Sequence, residues 1–354
     1  MGFLSRCAVR FRRAAQQMPL VSLCVPVYGT EGLVGRFLDC VLAQTDAPHF
    51  ETIIVNDGSP GGDSLPTTLK PYKKKFKAVG IPLILLEHSK NLGLVEARRT
   101  AVNAASGTYL CFADSDDSLP SDALQSLYQA AVFSGADIIH GKAEYAAAFS
   151  DAEAPLYKKS SLAEMEEKIK RVHIGPLKGD ELLNSFLLKG ELSSFLWAKL
   201  FRTETVKAAF ADIPLTFCTM GEDLLIYFFI LLHARSYFGI EDAVYTYHIG
   251  TGISSNLEIK DLPRWERACT AASVFAVIFS YLEEHPFSTP NAEKLNVALH
   301  NRCKAALLQN LRHLERVIPS LRAEAYAMLC DYWGEDYVKQ VEKSMKKDIS
   351  LQNC

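Results

Sequence analysis

The chain has 354 residues, 49% of them apolar and 22% charged, with a net charge of −3 at pH 7. Such a balance excludes a disordered polymer and gives no global reason to expect nucleic acid, whose binders carry a basic excess; a small or neutral substrate fits better. The nine cysteines lie scattered, without a CxxC pair or a His/Cys zinc spacing, so free thiols in a reducing compartment are expected.

Residues 1–18 form a basic tail in which Arg6, Arg10, Arg12 and Arg13 alternate with Phe3, Leu4, Val9 and Phe11. The tail lacks the apolar core and cleavage site of a signal peptide, which leaves a frayed end, a start nearer Met18 or a membrane-surface anchor. From Pro19 to about His140, short β-branched runs alternate with amphipathic stretches. Strands are expected over Leu20–Val27, Glu51–Val55, Pro82–Glu87, Thr108–Ala113 and Asp137–His140, and helices over Leu33–Gln44, Lys70–Val79, Leu92–Ala105 and Asp122–Ser134. Strands spaced by helices predict a mostly parallel sheet, covered on both faces, with ligands bound beyond the carboxyl ends of its strands. The basic run Lys70–Lys77 reads as a solvated helix face, with anionic lipid as the sharper alternative.

That placement rule tests the polar motifs. Tyr28-Gly29-Thr30-Glu31 follows the first strand, Asn56-Asp57-Gly58-Ser59 the second, Lys90-Asn91-Leu92-Gly93 the third, and Asp114-Ser115-Asp116-Asp117 the fourth. Each alone is compatible with ordinary turn chemistry. The last places three carboxylates in four positions, a repulsive cluster suited to Mg²⁺ or Mn²⁺ shared with substrate phosphates.

From Tyr145 to Lys178 the chain is polar and irregular, with an exposed helix expected over Lys158–Lys170. An apolar block from Leu182 to Tyr247 contains Trp197-Ala-Lys199-Leu-Phe201 and Gly221-Glu222-Asp223, the latter opening an apolar helix over Leu224–Leu232. This run is too short to span a bilayer. Acids there suit the helix dipole, so capping and catalysis both fit the position. Beyond about residue 257 the pattern is almost wholly helical.

In this order and with these gaps, Val25-Pro26-Val-Tyr28 with Glu31, Val55-Asn56-Asp57-Gly58-Ser59, Asn91-Leu-Gly93 with Ala97-Arg98, Ala113-Asp114-Ser115-Asp116-Asp117, Trp197-Ala-Lys199-Leu-Phe201 and Gly221-Glu222-Asp223 resemble family 2 inverting glycosyltransferases of the GT-A fold. The resemblance spans about residues 19–256. It implies an α/β nucleotide-diphospho-sugar transferase fold with a mostly parallel, Rossmann-like sheet, followed by a helical region over 257–354. It further implies nucleotide-sugar contacts from Pro26, Tyr28, Glu31, Asp57, Asn91, Gly93, Arg98, Asp114, Ser115 and Asp116. Asp116 would hold Mn²⁺ or Mg²⁺, aided by Asp114 and His248, and Asp223 would act as base, with Glu222 as second choice. Trp197, Lys199 and Asp117 would face acceptor or donor sugar, a buried core tryptophan being the alternative for Trp197. His248 and Ser254 would close over the diphosphate.

Two departures from the family pattern stand out: Gly29, where many members carry Asn, and His248 in the late loop. The implied partners are a UDP-sugar rather than a GDP- or dTDP-sugar, and a glycan or lipid-linked acceptor of bacterial surface polysaccharide. The implied location is cytoplasmic, with peripheral membrane contact and self-association through the C-terminal helices as further options. Competing readings are a haloacid-dehalogenase-like phosphatase using Asp114 and an inert sugar-binding module.

Overall fold

The computed structural model describes residues 18–61, 64–147, 165–249 and 258–352, with side chains to Ser344 at the C-terminal end. The basic tail, most of the Lys158–Lys170 stretch and Ser254 lie outside the described residues.

Eight strands form one sheet: β1 (Val21–Val27), β2 (Phe50–Asn56), β3 (Leu83–Glu87), β4 (Tyr109–Phe112), β5 (Ile138–Ala147), β6 (Gly175–Lys178), β7 (Lys199–Arg202) and β8 (Ser236–Ile249). Their order is β3-β2-β1-β4-β7-β5-β8-β6. The β2–β3, β1–β2, β1–β4 and β5–β8 pairs are parallel, whereas β7 runs against both β4 and β5, and β6 against β8. The sheet is thus mixed, with six strands running one way and β6 and β7 the other. Strands β1 and β2 are buried along their whole length, as strands covered on both faces are, with Ser22 and Glu51 hydrogen bonded to each other inside. Each fully buried Val, Leu or Ile contributes about 1.5–3 kcal/mol.

The helices of the first half are α1 (Val34–Leu42), α2 (Ser64–Val79), α3 (Leu94–Ala104) and α4 (Ala123–Ser134). Helix α2 starts six residues before the expected Lys70. Leu65, Leu69, Tyr72 and Phe76 make a single buried stripe, and Pro66 falls in the first turn, where its missing N–H is harmless. Lys73, Lys74, Lys75 and Lys77 are exposed on its other side. Strand β5 runs to Ala147, well past the expected His140, because β8 pairs with it along its length. Strands β6, β7 and β8 answer to no period legible in the sequence; pairing partners far along the chain create them.

The second half supplies α5 (Thr203–Asp212), α6 (Glu222–His233), α7 (Leu262–Cys269), α8 (Ala271–Glu284), α9 (Ala292–Leu314), α10 (Arg322–Trp333) and α11 (Glu335–Gln352). Helix α6 is the expected buried helix, and Leu225–Leu231 share one core with Cys24, Ile53, Val55, Leu110 and Phe112 of the sheet. Val274, Phe275 and Ile278 of α8 and Leu295, Leu299 and Cys303 of α9 join the same core. The helical region is therefore welded to the sheet. A smaller cluster around Trp265, Leu307, Leu329 and Val338 holds α7, α9, α10 and α11 together. Among the described residues, no helix is long and apolar enough to cross a membrane.

Candidate active site

Strand β1 lies between β2 and β4, so the chain reverses its direction of growth there, and a crevice opens beyond the carboxyl ends of the strands. A cavity of about 1000 Å³ occupies it. Pro26, Tyr28, Asp57, Asn91, Gly93, Arg98, Asp114, Ser115, Asp116, Trp197, Glu222 and Asp223 all line this cavity. Sites more than a hundred residues apart in sequence thus meet at one edge.

The loops are fixed to one another before any ligand arrives. Asp57 Oδ1 accepts from the Leu92 N–H at 2.9 Å and lies 2.7 Å from His88 Nδ1, while Oδ2 accepts from the Gly93 N–H at 2.9 Å. Asp57 therefore holds the Asn91–Gly93 turn in addition to lining the cavity. Gly58, at φ +66°, is obligatory: a Cβ there would lie 2.3 Å from the Lys90 carbonyl carbon. Across the β1–β4 gap, Thr30 Oγ1 and Ser115 Oγ hydrogen bond at 2.7 Å, and Arg36 Nη2 donates to the Asp116 carbonyl oxygen.

At the centre sits Arg98, 2% exposed on α3. Its Nη1 donates to Glu222 Oε1 at 3.0 Å and lies 3.0 Å from Asp223 Oδ1, while Nη2 donates to Asp114 Oδ1 at 3.3 Å. Burial opposes the guanidinium charge, but Asp223, Glu222 and Asp114 together outweigh it and raise the Arg98 pKa. Burial in turn drives the Asp223 carboxyl up to about 7, with Arg98 opposing, Glu222 adding and Lys199 opposing. Asp114 and Glu222 rise for the same first reason, each restrained by Arg98. A group that titrates near neutrality and faces a cavity is poised to take a proton. Glu222 and Asp223 open α6 behind Gly221 at φ +82°, so the helix N-terminus aims both toward Arg98.

Other expected site residues stand behind the wall, and the physical reasons are clear. Asp117 is 1% exposed; its Oδ2 accepts from the Tyr245 hydroxyl and its Oδ1 from the His248 N–H, both at 2.7 Å. It clamps the acidic loop to β8 instead of facing a sugar. Lys199 is fully buried, donating to Ser193 Oγ at 3.1 Å and to the Phe195 carbonyl, and burial lowers it to about 7. It props up the Ser193–Phe195 segment, which does line the cavity. Trp197 reaches the cavity but is 3% exposed, with Phe195 parallel at 4.4 Å and Tyr245 at 4.9 Å, so it reads as core. Half-buried Phe195 and Tyr247 are the rings of that stack a ligand can reach. Glu31 points away to Gly61, with one oxygen buried and without a hydrogen-bond partner. His248 Nε2 sits 3.0 Å from Ser118 Oγ, off the cavity wall.

The sequence reading missed five cations that also line the cavity. Lys168 and Arg171 from the segment before β6, Arg264 and Arg267 from α7, and Arg302 from α9 all line the same cavity. Their spacing is that of any solvated helix face, so no sequence signal distinguished them.

A divalent cation fits the acidic side. Among the described residues no three His, Cys, Asp or Glu side chains gather to cage a metal, but Mg²⁺ and Mn²⁺ are commonly held by one or two carboxylates, waters and substrate phosphates. Asp114 and Asp116 offer such a pair, and each raises the proton affinity of the surrounding carboxylates, a repulsion that a cation relieves.

Comparison with known proteins gives this geometry a context. Residues 22–177 match the family model "Glycosyl transferase family 2". EpsH of Bacillus subtilis (strain 168), a candidate glycosyltransferase, is 30% identical over 237 residues, covering 66% of this chain and 62% of EpsH. The chain therefore spans less than two thirds of that relative. Crystallised S. aureus TarS 1-349 in complex with UDP-GlcNAc superposes with a TM-score of 0.53 at 20% identity, over 93% of this chain and 92% of that one. The mannosyltransferase PcManGT from Pyrobaculum calidifontis, in complex with GDP-Man and Mn²⁺, gives 0.52 at 15% identity, over 97% and 90%. These structures share the expected GT-A-like fold, including its C-terminal helices. Residues 22–177, which hold four of the strand-edge motifs, thus match glycosyl transferase family 2.

Proposed function

We propose that the protein is a metal-dependent inverting glycosyltransferase that uses a nucleotide-diphosphate sugar, UDP-linked in preference to GDP- or dTDP-linked, and acts on a hydroxyl of a glycan or lipid-linked acceptor of bacterial surface polysaccharide. The observation that carries this reading is the buried Arg98 cluster, which sets Asp223 on a cavity wall with its carboxyl raised to about 7. The neighbours bound to UDP-GlcNAc and to GDP-Man with Mn²⁺ share the fold and support the donor class.

Asp223 takes the proton of the acceptor hydroxyl as that oxygen forms a bond to the anomeric carbon and the bond from this carbon to the diphosphate oxygen breaks. Inversion follows from attack on the opposite face. Arg98 keeps Asp223, Glu222 and Asp114 in place. Tyr28, Asp57 and Asn91 border the space for base and ribose, and Ser193, Phe195 and Tyr247 that for sugar. Asp116 and Asp114 would hold the cation, which neutralises charge on the departing diphosphate when bound.

The family match over residues 22–177, which includes Asp114, leaves the aspartyl-phosphatase reading of that residue without support. Thermal unfolding with UDP, GDP or dTDP, each with Mn²⁺ or EDTA, tests the donor site. A Mn²⁺-dependent rise with one nucleotide, lost in Asp116→Ala, is expected. No rise in any combination would sink it.

A further inference from the structure

We propose that the outer face of helix α2 docks the protein on a bilayer of anionic lipid, with Lys70, Lys73, Lys74 and Lys77 meeting the phosphate headgroups. The inference goes beyond the transfer reaction and does not depend on it. Helix α2 carries five lysines and no acid along its 16 residues. The whole chain has a net charge of −3, so this face is a local feature and not part of a generally basic surface. Lys75 pairs with Asp39 at 3.4 Å and lies over the Tyr72 ring; the other four are exposed, and among the described residues none of them forms an ion pair. Those four stand at i, i+3, i+4 and i+7, the spacing that gathers side chains on one side of a helix.

Like charges at that spacing repel one another, a cost that an anionic surface relieves. The backbone beneath them is fixed: Leu65, Leu69, Tyr72 and Phe76 are buried in the core, and the Tyr72 hydroxyl donates to the Gly35 carbonyl at 2.9 Å. The lysines therefore form a preset basic surface. Lys73 and Lys77 also line a cavity of about 360 Å³ with Phe76, Ile81 and Leu83, between the end of α2 and β3, the outermost strand of the sheet. It joins two ammoniums to apolar side chains, the pairing that a phosphate headgroup and the start of its acyl chains present. Val79, 60% exposed, adds an apolar contact at the end of the helix. Basic clusters on an amphipathic helix suit anionic lipid. Single-stranded nucleic acid calls for exposed rings on which bases stack, whereas both rings of this helix, Tyr72 and Phe76, are buried. Because α2 crosses from β2 back to β3, it runs alongside the strands, and a bilayer on its outer face leaves the crevice at the strand ends open.

Co-sedimentation of the full chain with vesicles tests this, using phosphatidylglycerol mixed with phosphatidylcholine against phosphatidylcholine alone. The protein should pellet with the anionic vesicles only, and salt at about 1 M, where the Debye length is about 3 Å, should release it. Lys73→Gln/Lys77→Gln should weaken partitioning at least about tenfold, and Lys73→Arg/Lys77→Arg should retain it. Both side chains are exposed, so the melting temperature should stay unchanged in either variant. None of these lysines lines the active-site cavity, so UDP binding should be the same throughout, and a failed donor site is read separately from a failed membrane site. Four results would overturn the proposal. They are equal pelleting with neutral vesicles, no pelleting with either, partitioning unaltered in the glutamine variant, and loss only when Arg6, Arg10, Arg12 and Arg13 are replaced by Gln, which would assign the contact to the N-terminal run. Polyuridylate binding as tightly as the anionic vesicles would make the face a general polyanion site and equally sink its assignment to lipid.

Discussion

The two walls of the cavity are built on opposite principles. On the sheet side, carboxylates crowd around one buried arginine, every loop is tied to its neighbour, and Arg98 reaches three acids at 3.0–3.3 Å. On the helical side, Arg264, Arg267 and Arg302 line the same cavity from helices packed on the sheet and on one another. Charges paired around one buried cation can hold catalytic groups in place, whereas side chains drawn from separate helices are placed by the apolar packing behind them.

The sharpest way to break that contrast is Asp223→Asn. Removal of a general base should lower kcat by about 10²–10⁴-fold, while UDP affinity, measured by calorimetry, stays within about twofold of the original. Equal loss of both would reassign Asp223 to structure. Next comes Arg98→Met, which strips the sheet-side wall of its cation. Losing one partner of a buried charge network costs about 3–5 kcal/mol in urea unfolding, and the loss should be greater at pH 8 than at pH 6. The sign follows from linkage. Without Arg98 the carboxyls rise further, the folded state holds protons that the unfolded state has released, and stability falls as pH increases.

The third effect is the pH dependence of turnover. With Asp223 raised to about 7, kcat/KM should climb with pH below that value, close to tenfold per unit, and level off above it. A profile already flat from pH 5 would exclude Asp223 as the titrating base. The smallest effect belongs to the rim: Lys168 is exposed, so Lys168→Gln should change acceptor KM by less than about 1 kcal/mol, and only at low salt. A larger effect that persists in high salt would show that the cationic lining reaches further out than its half-buried arginines.

Much of the sheet side was legible because its signals are local. An apolar run followed by Asn, Asp and Gly marks the carboxyl end of a covered strand, and four such ends on one edge announce a site. Gly58 and Gly93 can be read the same way, as positions where the backbone must turn or approach closely. What the motifs could not convey was depth. Asp117 and Lys199 belong to the right segments but face the core, since a shift of one position along a strand or turn exchanges cavity for interior. Trp197 stacks with Phe195 beside it and with Tyr245 and Tyr247, about fifty residues further on. Strand β7 is four residues long and becomes a strand only by pairing with β4 and β5.

The sequence by itself determined the alternation of strands and helices, the ordered motifs of family 2, the acidic loop after β4 and the acids at the head of α6, because each depends on periodicity or on turn chemistry within a few residues. Only the tertiary structure decided that Arg98 joins three acids from two distant segments, that Asp117 and Lys199 support the wall from behind, and that the helical region faces the same cavity with its arginines. Charges far apart in sequence acquire an energy of interaction only when folding brings them within a few ångströms in a medium that excludes water. No local pattern records that meeting.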